Sequence, residues 1–239
     1  MAGASQEALA SIEREVVACR RCPRLVAWRE QVATEKVARF RDETYWGRPV
    51  PGFGDPRARI VLVGLAPGAH GSNRTGRMFT GDGSGDFLWP ALHAAGLASQ
   101  PESRRRDDGM RALDLWITAA VRCAPPDNKP LPSERDNCAP YLVRELAALD
   151  QARVVIALGA FGWDAALRLA AAKGVAAKPR PKFAHGAEAI AGGWTLLGCF
   201  HPSQQNTFTS VLTPDMIDAV LVRARDLAGL RGRRGSHDP

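Results

Sequence analysis

The sequence predicts an α/β protein, a three-layer α/β/α sandwich around a four-stranded parallel sheet. Two observations lead to this fold class. Four short apolar runs have the composition of strands buried on both faces, as parallel strands are. Stretches with the apolar spacing of helices separate these runs, and strands that alternate with helices form parallel sheets. The 239 residues suffice for one large domain, and we expect a single domain over residues 1–239.

The four predicted strands cover residues 59–65, 115–121, 153–158 and 194–200. Each is a run rich in Val, Ile, Leu and Ala that is too short for a helix of the core. Open α/β sheets bind ligands beyond the carboxyl ends of their strands. We therefore expect the loops after the first, second and fourth strands to meet at one site.

Five helices are predicted from apolar spacing and from residues that start and stop helices. The N-terminal one covers residues 6–18, with Leu9, Ile12 and Val16 on one face. The second helix begins at Ser84 as its cap and ends before Gly96, and the third begins at Ser133 with Asp136 three residues on. The fourth covers residues 160–173 and stops at Gly174. The fifth begins at Thr213-Pro214 and ends at Gly229.

The composition excludes a membrane protein, a secreted disulfide scaffold and a disordered chain. No apolar run can cross a membrane, and the N-terminus lacks the apolar core of a secretory signal, so we expect a cytoplasmic protein without disulfides. Lys and Arg outnumber Asp and Glu by 32 to 25, a net charge of +7. This excess indicates either a polyanion-binding face or ordinary solubility charge. Part of it, at Arg231, Arg233 and Arg234, lies in residues 229–239, which we expect to form a flexible tail.

Four of the five cysteines have a pattern that suggests metal ligands. Cys19 and Cys22 form a Cys-x-x-Cys pair, and Cys123 and Cys138 follow at the second strand and in a helix. Structural zinc, an iron–sulfur cluster and four unrelated thiols all remain open, because spacing does not separate them. A redox motif is disfavoured because the pair lies far from the first strand. Cys199 lies inside the last apolar run, where a cysteine packs as a small apolar residue.

The segment after the first strand, residues 64–85, is called the glycine-rich loop here. It contains seven glycines, two arginines and no apolar period. Glycines allow a backbone to approach a ligand closely, yet the segment matches neither a Walker loop nor the dinucleotide pattern. A flexible linker is the alternative. Against that alternative, Phe79 and His70 are unusual choices for a solvated segment.

Four motifs together resemble the uracil-DNA glycosylase superfamily, and most closely its family 5, or type B, enzymes. They are Gly64-Leu65-Ala66-Pro67-Gly68, the run from Asn73 to Asp82, the turn from Val121 to Pro126, and His201-Pro202-Ser203. The resemblance covers residues 19–227. It implies a four-stranded parallel sheet, a monomer, and hydrolysis of the N-glycosidic bond of uracil in single- or double-stranded DNA. It also implies a structural [4Fe–4S] cluster on Cys19, Cys22, Cys123 and Cys138.

The resemblance further implies roles for individual residues. His201 would stabilise negative charge on the departing base, with a bond to a backbone carbonyl as its alternative. Phe79 would stack on the flipped base beside Leu65 and Ala66, with a place in the core as its alternative. Asp82 is the candidate general base, with a helix cap or turn as its alternative. Asn128 would hold water or a base edge, with a simple turn as its alternative.

Two departures from the superfamily pattern predict a wider substrate range. Leu65-Ala66-Pro67 offers no water-activating side chain, and Ala119 stands where uracil-specific relatives have an asparagine. We therefore expect activity on uracil and on other deaminated bases, hypoxanthine above all.

DNA contacts are expected from loop residues beyond the strand ends: His70, Asn73, Arg74, Arg77, Lys129, Ser203, Gln204 and Asn206. Gln204 to Asn206 replace the apolar residue that fills the gap of the flipped base in relatives, which leaves Phe208 as a remote candidate. Two other function classes stay open, an iron–sulfur redox protein and a non-catalytic DNA-binding module held by zinc.

Overall fold

A computed structural model describes residues 2–230 of the chain. Within this range, six strands form one mixed sheet in the order β1-β3-β2-β4-β6-β5. The strands are β1 (Phe53–Gly54), β2 (Ile60–Gly64), β3 (Leu115–Ala119), β4 (Val154–Leu158), β5 (Glu188–Ala191) and β6 (Trp194–Cys199). The expectation of an α/β fold is confirmed, and the four predicted strands are β2, β3, β4 and β6.

The prediction of a purely parallel, four-stranded sheet needs correction at both edges. The four predicted strands pair in parallel, but β1 joins β3 and β5 joins β6 in antiparallel fashion. β1 has only two residues, and β5 exposes Ile190, so neither edge strand carries the apolar run of a buried strand. Gly192 and Gly193, both at positive φ, form the tight turn between β5 and β6.

Helices cover both faces of the sheet. The described residues contain α1 (Ala2–Val17), α2 (Pro23–Glu35), α3 (Ser72–Thr75), α4 (Gly83–Ala94), α5 (Pro132–Ala148), α6 (Gly159–Ala172), α7 (Gln204–Phe208) and α8 (Pro214–Leu227), with 3₁₀ turns at Ala38–Phe40 and Pro126–Asn128. Ile60 and Leu62 enter a core with α4 and α8, whereas Val61 and Val63 enter a second core with α1, α5 and α6. Side-chain alternation along the strands thus creates two apolar layers.

Helix starts differ from the predictions where a neighbouring residue makes the better cap. Asp82 rather than Ser84 caps α4, and Glu134 rather than Asp136 accepts a backbone N–H at the start of α5. The Thr213 cap of α8 is confirmed. Helix α2 was not predicted at all, although Pro23 stands at its first position.

The expectation of a flexible tail is wrong at its beginning. Leu230 is 4% exposed and packs in the core, and its N–H donates to the Arg225 carbonyl. Arg231, Arg233 and Arg234 lie outside the described residues. Among residues 2–230, no helix has both the length and the apolar character to span a membrane.

Candidate active site

Two of the three predicted loops meet beyond the carboxyl ends of β2 and β6. Phe79 of the glycine-rich loop and His201 of the loop after β6 have ring centroids 6.1 Å apart, tilted by 39°. The Phe79 ring lies over the last residue of β2, where a β-carbon on Gly64 would sit 3.0 Å from Phe79 Cζ. A side chain at position 64 would therefore push the ring out of place.

The backbone of Phe79 is held in a conformation that bulky residues rarely adopt. Its φ is 51°, in the left-handed region. The Phe79 N–H donates to Ser72 Oγ at 3.0 Å, and its carbonyl accepts a bond from Trp89 Nε1 at 2.6 Å. These two hydrogen bonds thus hold Phe79 in a strained backbone conformation, as is common at functional sites.

His201 is an uncharged imidazole at neutral pH. Burial lowers the pKa of His201 to about 4. The neutral ring keeps one N–H to donate. The backbone next to the ring is fixed, because Asn206 Nδ2 donates to the His201 carbonyl at 2.8 Å. The site therefore presents an oriented, neutral donor beside the Phe79 ring.

Asp82 uses its two carboxylate oxygens differently. Oδ1 accepts the Gly85 N–H at 3.0 Å and caps α4, which confirms the alternative role predicted for this residue. Oδ2 faces Gly71, where any side chain would collide with it. Burial raises the pKa of Asp82 above its usual value, although nearby backbone N–H groups and Arg74 lower it. A carboxylate with a raised pKa is a better proton acceptor, so capping does not exclude a role as base.

A groove of about 980 Å³ opens beside Asp82. Gly81, Gly83 and Gln204 line it next to the carboxylate, and Arg104 and Arg105 line it further along. The groove gives water and a bound strand a route to Asp82.

The third predicted loop contributes less than expected. Asn128 is exposed at a φ of 56°, and no hydrogen bond among residues 2–230 ties its side chain to Asp82 or His201. This is the geometry of the turn alternative, so its catalytic role stays a prediction. Leu65 and Ala66 are half-buried, and the β2–β3 pair beneath the Phe79 ring ends with Gly64 opposite Ala119, without a polar side chain.

The structure corrects the predicted DNA contacts at Asn73, Arg74 and Arg77, which are all buried. Asn73 Nδ2 donates to the Arg29 carbonyl at 3.2 Å. Arg74 donates to the His70 and Gly81 carbonyls and pairs with Glu43.

Arg77 has the densest set of internal partners. Its guanidinium bonds Thr80, Ser103 and the Arg106 carbonyl, and it pairs with Asp108 at 2.7 Å. These internal bonds support the glycine-rich loop and occupy the donors of both arginines.

The other predicted DNA contacts lie nearer the surface. Lys129 and Gln204 are exposed, and Ser203 caps α7 by accepting the Asn206 N–H. His70 is half-buried against Tyr45, whose hydroxyl lies 3.1 Å from Nδ1, and burial lowers the pKa of His70. Phe208 is 80% exposed at the end of α7. Direct DNA contact by these residues stays a prediction.

The four predicted ligand cysteines converge at one corner, here called the cysteine corner. Cys22, Cys123 and Cys138 share an apolar cluster, and Cys19 packs beside it against Tyr141. All four are free thiols. Burial, reinforced by the other thiols, raises the pKa of Cys123 to about 12 and that of Cys138 to about 11. Among the described residues, no group of three or more Cys, His, Asp or Glu could hold a metal ion as the side chains stand.

A buried cation beside the cysteine corner has one long ion pair, to a carboxylate that it shares with another arginine. Arg29 is 2% exposed, its Nη1 lies 3.8 Å from Cys123 Sγ, and its Nε has no partner in the described part of the chain. Glu30 is at a long 3.4 Å and also binds Arg20. Because a buried guanidinium is costly without an anion, four thiols and this cation fit an anionic iron–sulfur cluster.

Known proteins agree with this geometry. The sequence profile of the uracil DNA glycosylase superfamily matches residues 51–225, which include both loops of the site. The chain belongs to this superfamily. The match spans β1 to most of α8 and leaves the Cys19–Cys22 pair outside.

Curated relatives within the superfamily cover nearly the whole chain. A type-5 uracil-DNA glycosylase of Thermus thermophilus is 56% identical over 216 residues, 90% of this chain and 96% of the relative. The type-5 enzyme of Mycobacterium leprae is 51% identical over 221 residues, 92% and 95% of the two chains. That of Pyrobaculum aerophilum is 45% identical over 214 residues, 90% and 91%.

Sequence reasoning missed two features of this superfamily member. Arg29 lies in the unpredicted helix α2, and no local motif marks it. His185 lies outside every motif, yet its Nδ1 accepts the Phe200 N–H at 3.2 Å, directly before His201. The tertiary fold brings both residues to their positions, and no local sequence motif marks them.

Proposed function

We propose that the chain is a DNA glycosylase that hydrolyses the N-glycosidic bond of uracil in DNA and leaves an abasic site. The observation that carries this proposal is the meeting of the Phe79 and His201 rings at the carboxyl edge of the sheet, with Asp82 three residues beyond Phe79 in the same loop. The superfamily membership and the type-5 relatives support it.

Phe79 and His201 would act on a nucleotide flipped out of the DNA. Base stacking on the Phe79 ring contributes about 1–3 kcal/mol to binding. As the glycosidic bond breaks, the bonding electrons stay on the base, which becomes an anion. The neutral His201 N–H donates to the developing negative charge without itself needing a proton from solvent.

Asp82 would serve the other half of the reaction. The sugar becomes cationic at C1′, and a water oxygen adds there while its proton passes to the carboxylate. Asp82 Oδ2 would take this proton because Oδ1 carries the cap. The negative carboxylate also stabilises the sugar cation electrostatically.

The absence of polar side chains beneath the Phe79 ring supports a broad substrate range. Ala119 and Leu65-Ala66-Pro67 supply no amide to read a uracil edge. A site without such groups does not strongly reject other bases, because no buried polar group is left unpaired by them. We therefore propose hypoxanthine and further deaminated bases as substrates beside uracil.

The cysteine corner would hold a [4Fe–4S] cluster through Cys19, Cys22, Cys123 and Cys138. When bound, a cluster supplies four iron–thiolate links and has a structural role here. The cysteines then join the segment between α1 and α2 to the end of β3 and to α5. A single domain, a monomeric state and a cytoplasmic location belong to the same proposal.

Excision assays on DNA test this function. Duplex and single-stranded oligonucleotides with one uracil or one hypoxanthine are incubated with the protein and then treated with alkali. Strand breaks at both lesions, but not at matched undamaged DNA, are expected. Cleavage of uracil alone would contradict the broad range, and no cleavage at either lesion would contradict the function.

Metal analysis of the same preparation separates the remaining alternatives. Iron with absorbance near 400 nm, together with base release, is expected. Zinc without base release would favour the DNA-binding module. A reversible redox change without base release would favour the redox protein.

A further inference from the structure

A stretch without acidic residues lies between α6 and β5. No Asp or Glu occurs between Asp164 and Glu188, while Lys178, Arg180 and Lys182 fall in this interval. All three cations are exposed, and among residues 2–230 neither lysine forms an ion pair. Residues 178–182 are called the basic segment here.

Among residues 2–230, the only acidic partner of the basic segment is Asp164, which is shared with other cations. Asp164 pairs with Arg180 and also with Arg135 at 2.9 Å and Arg168 at 2.7 Å. Arg135 also pairs with Asp136 at 3.0 Å, so two carboxylates face three guanidinium groups here, and the two lysines add to the remaining positive charge. The surface therefore suits a polyanion.

Aromatic packing ties the end of the basic segment to Trp163 and to Phe200, the residue before His201. The Pro181 carbonyl accepts a bond from Trp163 Nε1 at 3.0 Å, and the Phe183 ring lies 6.0 Å from the Trp163 ring and 6.1 Å from that of Phe200. His185 packs on Phe200 at 5.1 Å. Lys182, between Pro181 and Phe183, is thus held close to the residue that precedes His201.

Close backbone contact strengthens this attachment. The Gly186 N–H donates to the Gly198 carbonyl at 2.8 Å, and a β-carbon on Gly198 would collide with the Ala184 carbonyl. Residues 184–186, which follow the basic segment, therefore run along the end of β6 that leads to His201.

We propose that Lys178 and Lys182 bind backbone phosphates of the DNA strand next to the flipped nucleotide. The proposal rests on the proposed function. It assigns to this segment the charge contacts that the buried Arg74 and Arg77 do not make. Phosphate contacts of this kind position the strand and carry no sequence preference.

Salt-dependent binding of the full-length protein to a labelled, undamaged duplex tests the proposal. Each lost phosphate contact should reduce the slope of log K against log salt by about 0.9, so Lys178→Ala/Lys182→Ala should reduce it by about 1.8. The affinity at low salt should fall as well. A charge-reversed pair, Lys178→Glu/Lys182→Glu, should bind more weakly still, and thermal melting checks that each variant is folded.

Arg57→Ala/Arg153→Ala is the matched control. It removes the same charge from exposed positions before β2 and β4, at the opposite edge of the sheet. This control should keep the wild-type slope. A wild-type slope for both lysine pairs, or equal losses in the control, would overturn the proposal. Because the duplex is undamaged, this result is independent of whether the wild type releases uracil.

Discussion

The two halves of the glycine-rich loop use similar residue types for different tasks. In the supporting half, residues 70–77, Asn73, Arg74 and Arg77 turn inward and bond to backbone carbonyls and buried side chains. In the catalytic half, residues 78–85, Phe79 faces His201, and Asp82 caps α4 through Oδ1 alone.

The difference teaches that charge in a loop does not by itself mark a binding surface. A loop rich in glycine has few side chains to pack, and its buried backbone carbonyls still need donors. Arginine supplies up to five N–H donors in a fixed geometry, which makes it suitable for this internal role. The supporting half thus holds the catalytic half in position.

The largest effect on activity is expected in the catalytic half, for Asp82→Asn. Loss of a general base slows a reaction about 10²–10⁴-fold, while Asn caps a helix as well as Asp does, so the Tm should stay unchanged. Single-turnover excision and melting measure the two effects. In the wild type, the rate should fall as pH drops through the raised pKa of Asp82, and the variant should lack this decline.

Asp82→Ala is the control for the cap. It should lose activity to the same extent and also about 1 kcal/mol of stability. An Asp82→Asn variant that kept the wild-type rate and pH profile would show that the catalytic half acts without this base.

The next effect is expected in the supporting half, for Arg77→Ala. Breaking a buried ion pair costs about 3–5 kcal/mol because the partner carboxylate of Asp108 stays behind. A loss of about 3 kcal/mol lowers the Tm by roughly 6–12 °C. Arg105→Ala, in which a 77% exposed side chain is removed, should leave the Tm unchanged. If the Arg77→Ala variant were as stable as the wild type and bound DNA more weakly and with less salt dependence, Arg77 would be a phosphate contact after all.

A smaller effect is expected for Phe79→Leu. The substitution keeps an apolar side chain over Gly64 but removes the aromatic face, so binding of the flipped base should weaken by about 1–3 kcal/mol. Binding of lesion-containing and undamaged duplexes should be compared. Equal weakening on both would mean that Phe79 acts in the core and not on the base.

The smallest effect on activity is expected for Arg29→Met, which tests the cation at the cysteine corner. The purified variant should lose iron and the 400 nm absorbance faster than the wild type when challenged with a chelator. Arg29→Lys should restore part of the retention. Once iron is removed from both proteins, the Met variant should melt at the higher temperature, because it buries no unpaired charge. Identical iron loss in variant and wild type would contradict the assigned role.

The sequence predicted the parts that depend on local pattern. The apolar runs of β2, β3, β4 and β6 marked the parallel strands, and Thr213-Pro214 marked the start of α8. The edge strands β1 and β5 were missed, because a two-residue strand and a half-exposed strand carry little apolar signal.

A local sequence pattern does not show which way a side chain points or which charged groups meet in the folded chain. From the sequence alone, Arg74 is expected to be an exposed cation in a loop. Only the positions of Glu43 and the Gly81 carbonyl show why it is buried. The position of the basic segment could not be predicted from the sequence, because its attachment depends on Trp163 and Phe200, which lie far from it in the chain. The meeting of Phe79 with His201 could be predicted because parallel strands bring their carboxyl ends together.

The most direct test of the account is the product of a single turnover on uracil-containing DNA. Mass spectrometry should detect free uracil and an intact strand with one abasic sugar. His201→Phe, which removes the N–H donor, should reduce the rate about 10²–10³-fold. No free uracil, or a His201→Phe rate equal to that of the wild type, would contradict a glycosylase centred on Phe79, Asp82 and His201.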